Sequence, residues 1–150
     1  MRSKLIHDGD EKTYALVFDK GEEVASGLLR FAREKGLGAS RFTAIGAFER
    51  VTLGFFERGR KEYARIELGE QVEVLSLVGD ITLKEDGGPQ VHAHVVVGRR
   101  DGTAHGGHLL GALVWPTLEV IVTESPRHLR RRFDEETGLA LLNEMDAGER

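Results

Sequence analysis

Four of the six histidines in this 150-residue chain fall between residues 91 and 110, in the run VHAHVVVGRRDGTAHGGHLL. His92 and His94 are two apart, and in a strand that spacing puts both rings on one face, about 7 Å apart at the backbone. Arg99, Arg100, Asp101, Gly102 and Thr103 separate the two apolar arms, and Gly102 suits the left-handed position that closes a three-residue hairpin loop. A loop of Arg100, Asp101 and Gly102 pairs Arg99 with Thr103, and counting back along both arms brings residue 94 opposite residue 108. His108 then joins His92 and His94 on a common face, with Cβ atoms of facing residues about 5 Å apart, while His105 turns to the reverse side. His7 and His128 read as surface residues.

Three neutral imidazoles around one point are a donor set for a divalent metal, with zinc the expected ion, iron, nickel or copper the alternatives, and a fourth position left for water or a ligand. Gly106 and Gly107, beside the third histidine, would let backbone, metal or a small ligand approach closely. A water bound at such a centre titrates near neutrality, and Glu73 or Glu119 is a candidate base or fourth ligand. The competing reading is a cluster of core or interface histidines bonded to backbone. Catalytic residues are not identifiable: the sequence has no Gly-rich phosphate loop, nucleophile elbow or serine-triad pattern.

The elements that must hold these residues are mostly strands. Tyr14 to Phe18 reads as a short strand. Asp19 with Glu22 three residues on resembles a helix-start capping pattern, and Val24, Leu28, Phe31 and Ala32 recur at helical spacing before Gly36, so a helix is expected over 20–35. The period then changes to two. RFTAIGAFERVTLGFFE carries Gly46 as an expected bulge, EYARIEL reads as a half-exposed strand, and QVEVLSLVGDITL as a central one. TLEVIVTES adds another buried strand. One helix among consecutive strands with short connections gives an α+β architecture with antiparallel pairing. Ser125 and Pro126 offer a possible further helix start, LALL an apolar anchor that should pack down, and residues from about Asn143 a frayed end.

Composition bounds the function. Apolar residues make up 40% and charged residues 31%, the formal net charge is −4, and there is no cysteine. One soluble domain is expected, and any metal must be held by His, Asp or Glu. The N-terminus turns polar too early for a secretory signal, so a cytoplasmic location is expected. The acidic balance argues against a wholly basic nucleic-acid surface. RGRK at 58–61 reads as a hairpin turn, and RHLRRR at 127–132, followed by Asp134, Glu135 and Glu136, as solvated charge pairs on a helix or loop.

Several stretches in order resemble the PPC domain, named for plants and prokaryotes: DKGEEV, AIGAFERVTLGFF, VEVLSLVGDI, the H-x-H followed by G-G-H-L, and EETGLALL. The likeness runs over residues 14–142, leaving 1–13 as an extension and 143–150 as a tail. It implies a mainly antiparallel sheet of about seven strands with flanking helices, assembled as a homotrimer, and carries the family's histidine positions onto His92, His94 and His108. Plant relatives join the domain to an AT-hook for DNA. This chain lacks the hook, since RGRK has no proline after the second arginine. The resemblance thus implies a trimeric regulatory protein associated with DNA or another protein. A metal-dependent enzyme acting on a small molecule and a metal-free assembly module remain the alternatives, and no membrane association is expected.

Overall fold

In a computed structural model that describes residues 1–144, the chain forms nine strands and one helix. The strands are β1 (Arg2–Asp8), β2 (Lys12–Asp19), β3 (Ala39–Glu57), β4 (Glu62–Leu68), β5 (Val72–Leu83), β6 (Pro89–Gly98), β7 (Ala104–Glu124), β8 (Arg130–Asp134) and β9 (Leu139–Glu144), with α1 (Val24–Lys35) between β2 and β3. Nine strands replace the seven expected, and a single helix replaces flanking helices. Three strands are added at the two ends of the chain, while the second arm of the histidine hairpin and TLEVIVTES run together as β7. Residues 2–8, expected as an extension, form an edge strand on β2, and the segment expected to start a second helix at Ser125 and Pro126 forms the β8–β9 hairpin.

The long strands β3 and β7 each serve two neighbourhoods. The first half of β3 pairs with β5, its second half pairs with β4, and β7 runs beside it throughout. With β5 on β6 and β6 on β7, the ladders β3–β5–β6–β7–β3 close a circuit. Gly46 allows the bend: its φ is 145°, a shift in register sits beside it, and a Cβ there would lie 2.3 Å from the Thr117 carbonyl oxygen. Only a residue without a side chain tolerates both the dihedral and the contact.

Alternation sorts the two faces of the sheet. Leu16, Phe18, Phe42, Leu77, Val95, Val97, Leu118 and Val120 are buried on one face, where α1 packs Val24, Leu28, Phe31 and Ala32 against them. The helix starts later than expected. Asp19 and Glu22 do bond reciprocally, Asp19 N–H to Glu22 Oε2 and Glu22 N–H to the Asp19 carbonyl, but Gly21 between them has φ 81° and the pair closes a turn. Glu23 is the N-cap instead, its carboxylate accepting from the N–H groups of Ala25 and Ser26, and Gly36 ends the helix in the left-handed conformation.

The other face carries the histidines. It also leaves Ile45, Leu75, Val78, Val96 and Ile121 between 41% and 62% exposed, on the adjoining strands β3, β5, β6 and β7. The LALL anchor does not pack down: Leu141 and Leu142 are exposed, as is Phe133 on the facing strand. Asn143 and Glu144 complete β9; the rest of the tail lies outside the described residues. No helix among those residues is long and apolar enough to cross a membrane.

Candidate metal centre

The β6–β7 turn has the register that its glycine implies. Gly102 has φ 83°, its N–H donates to the Arg99 carbonyl, and the Arg99 N–H donates to the Thr103 carbonyl. Counting from there, His94 faces His108 and Val97 faces His105. His105 is therefore on the reverse side, and His7 and His128 are exposed elsewhere. The three rings of His92, His94 and His108 stand 5.2 to 5.3 Å apart between centroids, and one nitrogen from each lies within 4.8 Å of the others. Nitrogens each about 2 Å from a tetrahedral ion are about 3.4 Å apart, so the three rings would have to draw together somewhat around an ion.

Two properties of the cluster suit a cation. Burial, with the neighbouring imidazoles adding charge repulsion, lowers the His108 pKa to about 4, and burial followed by His92 lowers that of His94. Both rings are neutral at pH 7 and present lone pairs. His108 Nδ1 is in addition a buried nitrogen with no hydrogen-bond partner, a polar atom whose burial a bound ligand would offset.

The surroundings differ from those expected. Glu73 faces Gly98, four residues along β6 from His94 and so about 13 Å away. Glu119 lies on β7 opposite Ile45 and Val17, eleven residues from His108. Neither approaches the cluster, because strand register and not sequence distance decides proximity. Gly106 shares the face of His108, but the space at Gly107 is filled by β3: a Cβ there would meet the Gly54 carbonyl oxygen at 2.9 Å.

Three residues take the positions beside the rings instead. Asp80 faces His92 across the β5–β6 ladder, its Oδ2 3.5 Å from His92 Nδ1. Burial would raise the Asp80 pKa, but hydrogen bonds from His92 and Arg131 and the guanidinium charge outweigh it and hold the carboxyl below its usual range. Arg131, expected to be one of several solvated charges, is buried, and its Nη2 is 2.8 Å from Asp80 Oδ1 and 3.2 Å from His92 Nδ1. Tyr63 of β4 stacks on His108 at 4.4 Å, in room left by Gly54, where a Cβ would meet the Tyr63 ring at 2.8 Å.

Asp80 was within reach of the sequence: LKEDGGPQ is itself a turn, closed by the Lys84 N–H to Gly88 carbonyl bond, and counting back from it pairs residue 80 with residue 92. Arg131 had no such signal. Its neighbours Arg130 and Arg132 are exposed, and nothing local distinguishes it. RGRK forms the β3–β4 turn as expected, with Arg60 N–H and Lys61 N–H both donating to the Glu57 carbonyl.

The model of the Plants and Prokaryotes Conserved (PCC) domain matches residues 7–126, most of the chain and every strand that carries a histidine of the cluster. The chain belongs to this family. Among solved structures, this PPC chain is similar to a metal-containing protein from Archaeoglobus fulgidus, with 39% identity over 89% of this chain and 94% of that one, TM-score 0.82. A PPC protein from Pyrococcus horikoshii shares 31% identity over 97% and 96%, TM-score 0.83. A protein from Ralstonia eutropha JMP134, described provisionally as DNA-binding, shares 34% over 87% and 90%, TM-score 0.81. A comparison of this PPC chain with the curated proteins finds no match.

Proposed function

We propose that this PPC protein is a divalent-metal-binding assembly protein, in which His92, His94 and His108 hold the ion, zinc being the expected one, and three copies associate through the apolar outer face of the sheet. The observation that carries the metal reading is the convergence of three ring nitrogens within 4.8 Å of one another, with the orphaned His108 Nδ1 and the neutral state of two rings in support. An ion held by the three rings would supply Lewis-acid chemistry, and neither Glu73 nor Glu119 lies close enough to join them. The chain's own residues hold the rings, and Tyr63 covers one side of the His108 ring.

Assembly is supported by the exposed surface of Ile45, Leu75, Val78, Val96 and Ile121. Leaving it in water forfeits about 25 cal/mol for each Å² that association could bury. Three copies is the number expected from the family. The test is metal analysis of untagged protein, prepared without chelators, together with its mass in solution. About one ion per chain in a trimer is expected, and a metal-free monomer would overturn the reading.

Association with DNA is the second reading, favoured by the relative described provisionally as DNA-binding. The basic turn residue Arg60 pairs with Glu57 and Glu62, so any duplex binding should be weak and steeply salt-dependent. A mobility shift of duplex DNA at low ionic strength, lost at higher salt, separates this reading from a small-ligand role.

A further inference from the structure

The hairpin of β8 and β9 hangs from the sheet by little backbone. One parallel bridge joins Leu83 to Arg130, and the Leu83 N–H donates to the Leu129 carbonyl. The Leu129 N–H also donates to the Gly38 carbonyl, the Phe133 N–H to Glu85 Oε1 and Lys61 Nζ to the Glu135 carbonyl, and Arg131 adds the buried side-chain attachment. Its Nε donates to Thr82 Oγ1 at 2.9 Å, its Nη1 to the Ala140 carbonyl at 3.0 Å, and its Nη2 lies 2.8 and 2.9 Å from the two oxygens of Asp80. The guanidinium is thus fixed to β5 on one side and β9 on the other.

His92 faces this pair through Nδ1 alone. For a neutral imidazole to give one nitrogen to an ion, the other must carry the proton and donate it. Arginine has no acceptor. Of the two groups beside Nδ1, only Asp80 can receive that proton, which leaves Nε2 as the nitrogen free for the ion. We propose that Asp80 is the positioning residue for His92 and that Arg131, reaching in from the C-terminal hairpin, is the brace that fixes Asp80 in that role. The hairpin is thereby part of the metal site, although the family match stops at residue 126, before it begins. The inference rests on the metal reading above.

The test is a titration of untagged protein with cobalt(II) and zinc(II) against a chromophoric chelator, for the unaltered chain, Asp80→Asn, Arg131→Met and the double variant. Asp80→Asn should bind 10- to 100-fold more weakly, on the order seen when such outer partners are removed. Its cobalt visible absorption should shift as His92 turns, a change that loss of fold stability alone would not cause. In the Arg131→Met background the same Asp80→Asn change should cost less than about threefold, because an unbraced carboxylate has little left to lose. If Arg131→Met does not fold, Arg131→Lys, which keeps the charge and loses the fork, takes its place. An unaltered chain that binds neither ion overturns both readings. Binding by the unaltered chain with an equal affinity and spectrum for Asp80→Asn overturns the positioning role alone, and full additivity of the two changes overturns the brace.

Discussion

His94 and His108 face each other as direct partners across the β6–β7 ladder, ring centroids 5.3 Å apart, yet one is exposed and the other half-buried. That asymmetry separates what each ring does in the metal-free protein from what both would do around an ion, and it makes their substitutions distinguishable.

His94→Ala should abolish metal binding while changing the metal-free melting temperature little, since the ring is exposed and makes edge contacts with His92 and His108 but no hydrogen bond or ion pair among the described residues, and such a substitution costs about 0.5 kcal/mol. Metal content and calorimetry of the same sample check this. Retained stoichiometric metal would show that the ring is not a ligand.

His108 gives the metal-free protein a pH dependence. Its pKa is about 4 in the folded chain, below the 6.5 of an ordinary histidine, so between these values the unfolded chain binds a proton that the folded one refuses. Its contribution is fully present above pH 6.5 and lost as pH falls towards 4. Thermal melts of chelator-treated protein across that window should show falling stability, and His108→Gln should flatten the slope. An unchanged slope in the variant would remove His108 from the explanation.

Ile121→Lys should disperse the assembly and leave a folded protomer. Ile121 is 43% exposed on the outer face and contributes nothing to the core cluster, so a charge there costs the interface and not the fold. Light scattering gives the mass and circular dichroism the fold; a mass equal to that of the unaltered chain would move the contact surface elsewhere.

Gly46→Ala should destabilise the protomer by about 1–3 kcal/mol or more, from the dihedral and the overlap together. The added carbon would meet the Thr117 carbonyl at 2.3 Å, and that oxygen belongs to β7 backbone that cannot step aside. Denaturant unfolding measures it. A loss below about 0.5 kcal/mol would mean that β3 bends without this glycine.

The sequence determined what short-range rules reach. A glycine in a tight turn sets a register, and a register sets which side chains share a face, so the meeting of His92, His94 and His108 and the rejection of His105 followed from one loop. The end of α1 followed from Gly36, and its buried stripe from residues three and four apart. Its start did not, because Asp19 and Glu22 satisfy a turn and a helix equally well until Gly21 adopts its positive φ. The turn after β5 also puts Asp80 opposite His92, but tertiary structure alone brought Arg131 and Tyr63 beside the histidines. Arg131 reaches Asp80 from 51 residues away in sequence, through a hairpin whose strands carry no strong alternation, and Glu119 was placed far off by the pairing of β7 with β3 and β2, which no local pattern encodes. A carboxylate's neighbours are fixed by which strands lie side by side, and in a sheet closed through β3 and β7 that choice is settled by packing of the whole core.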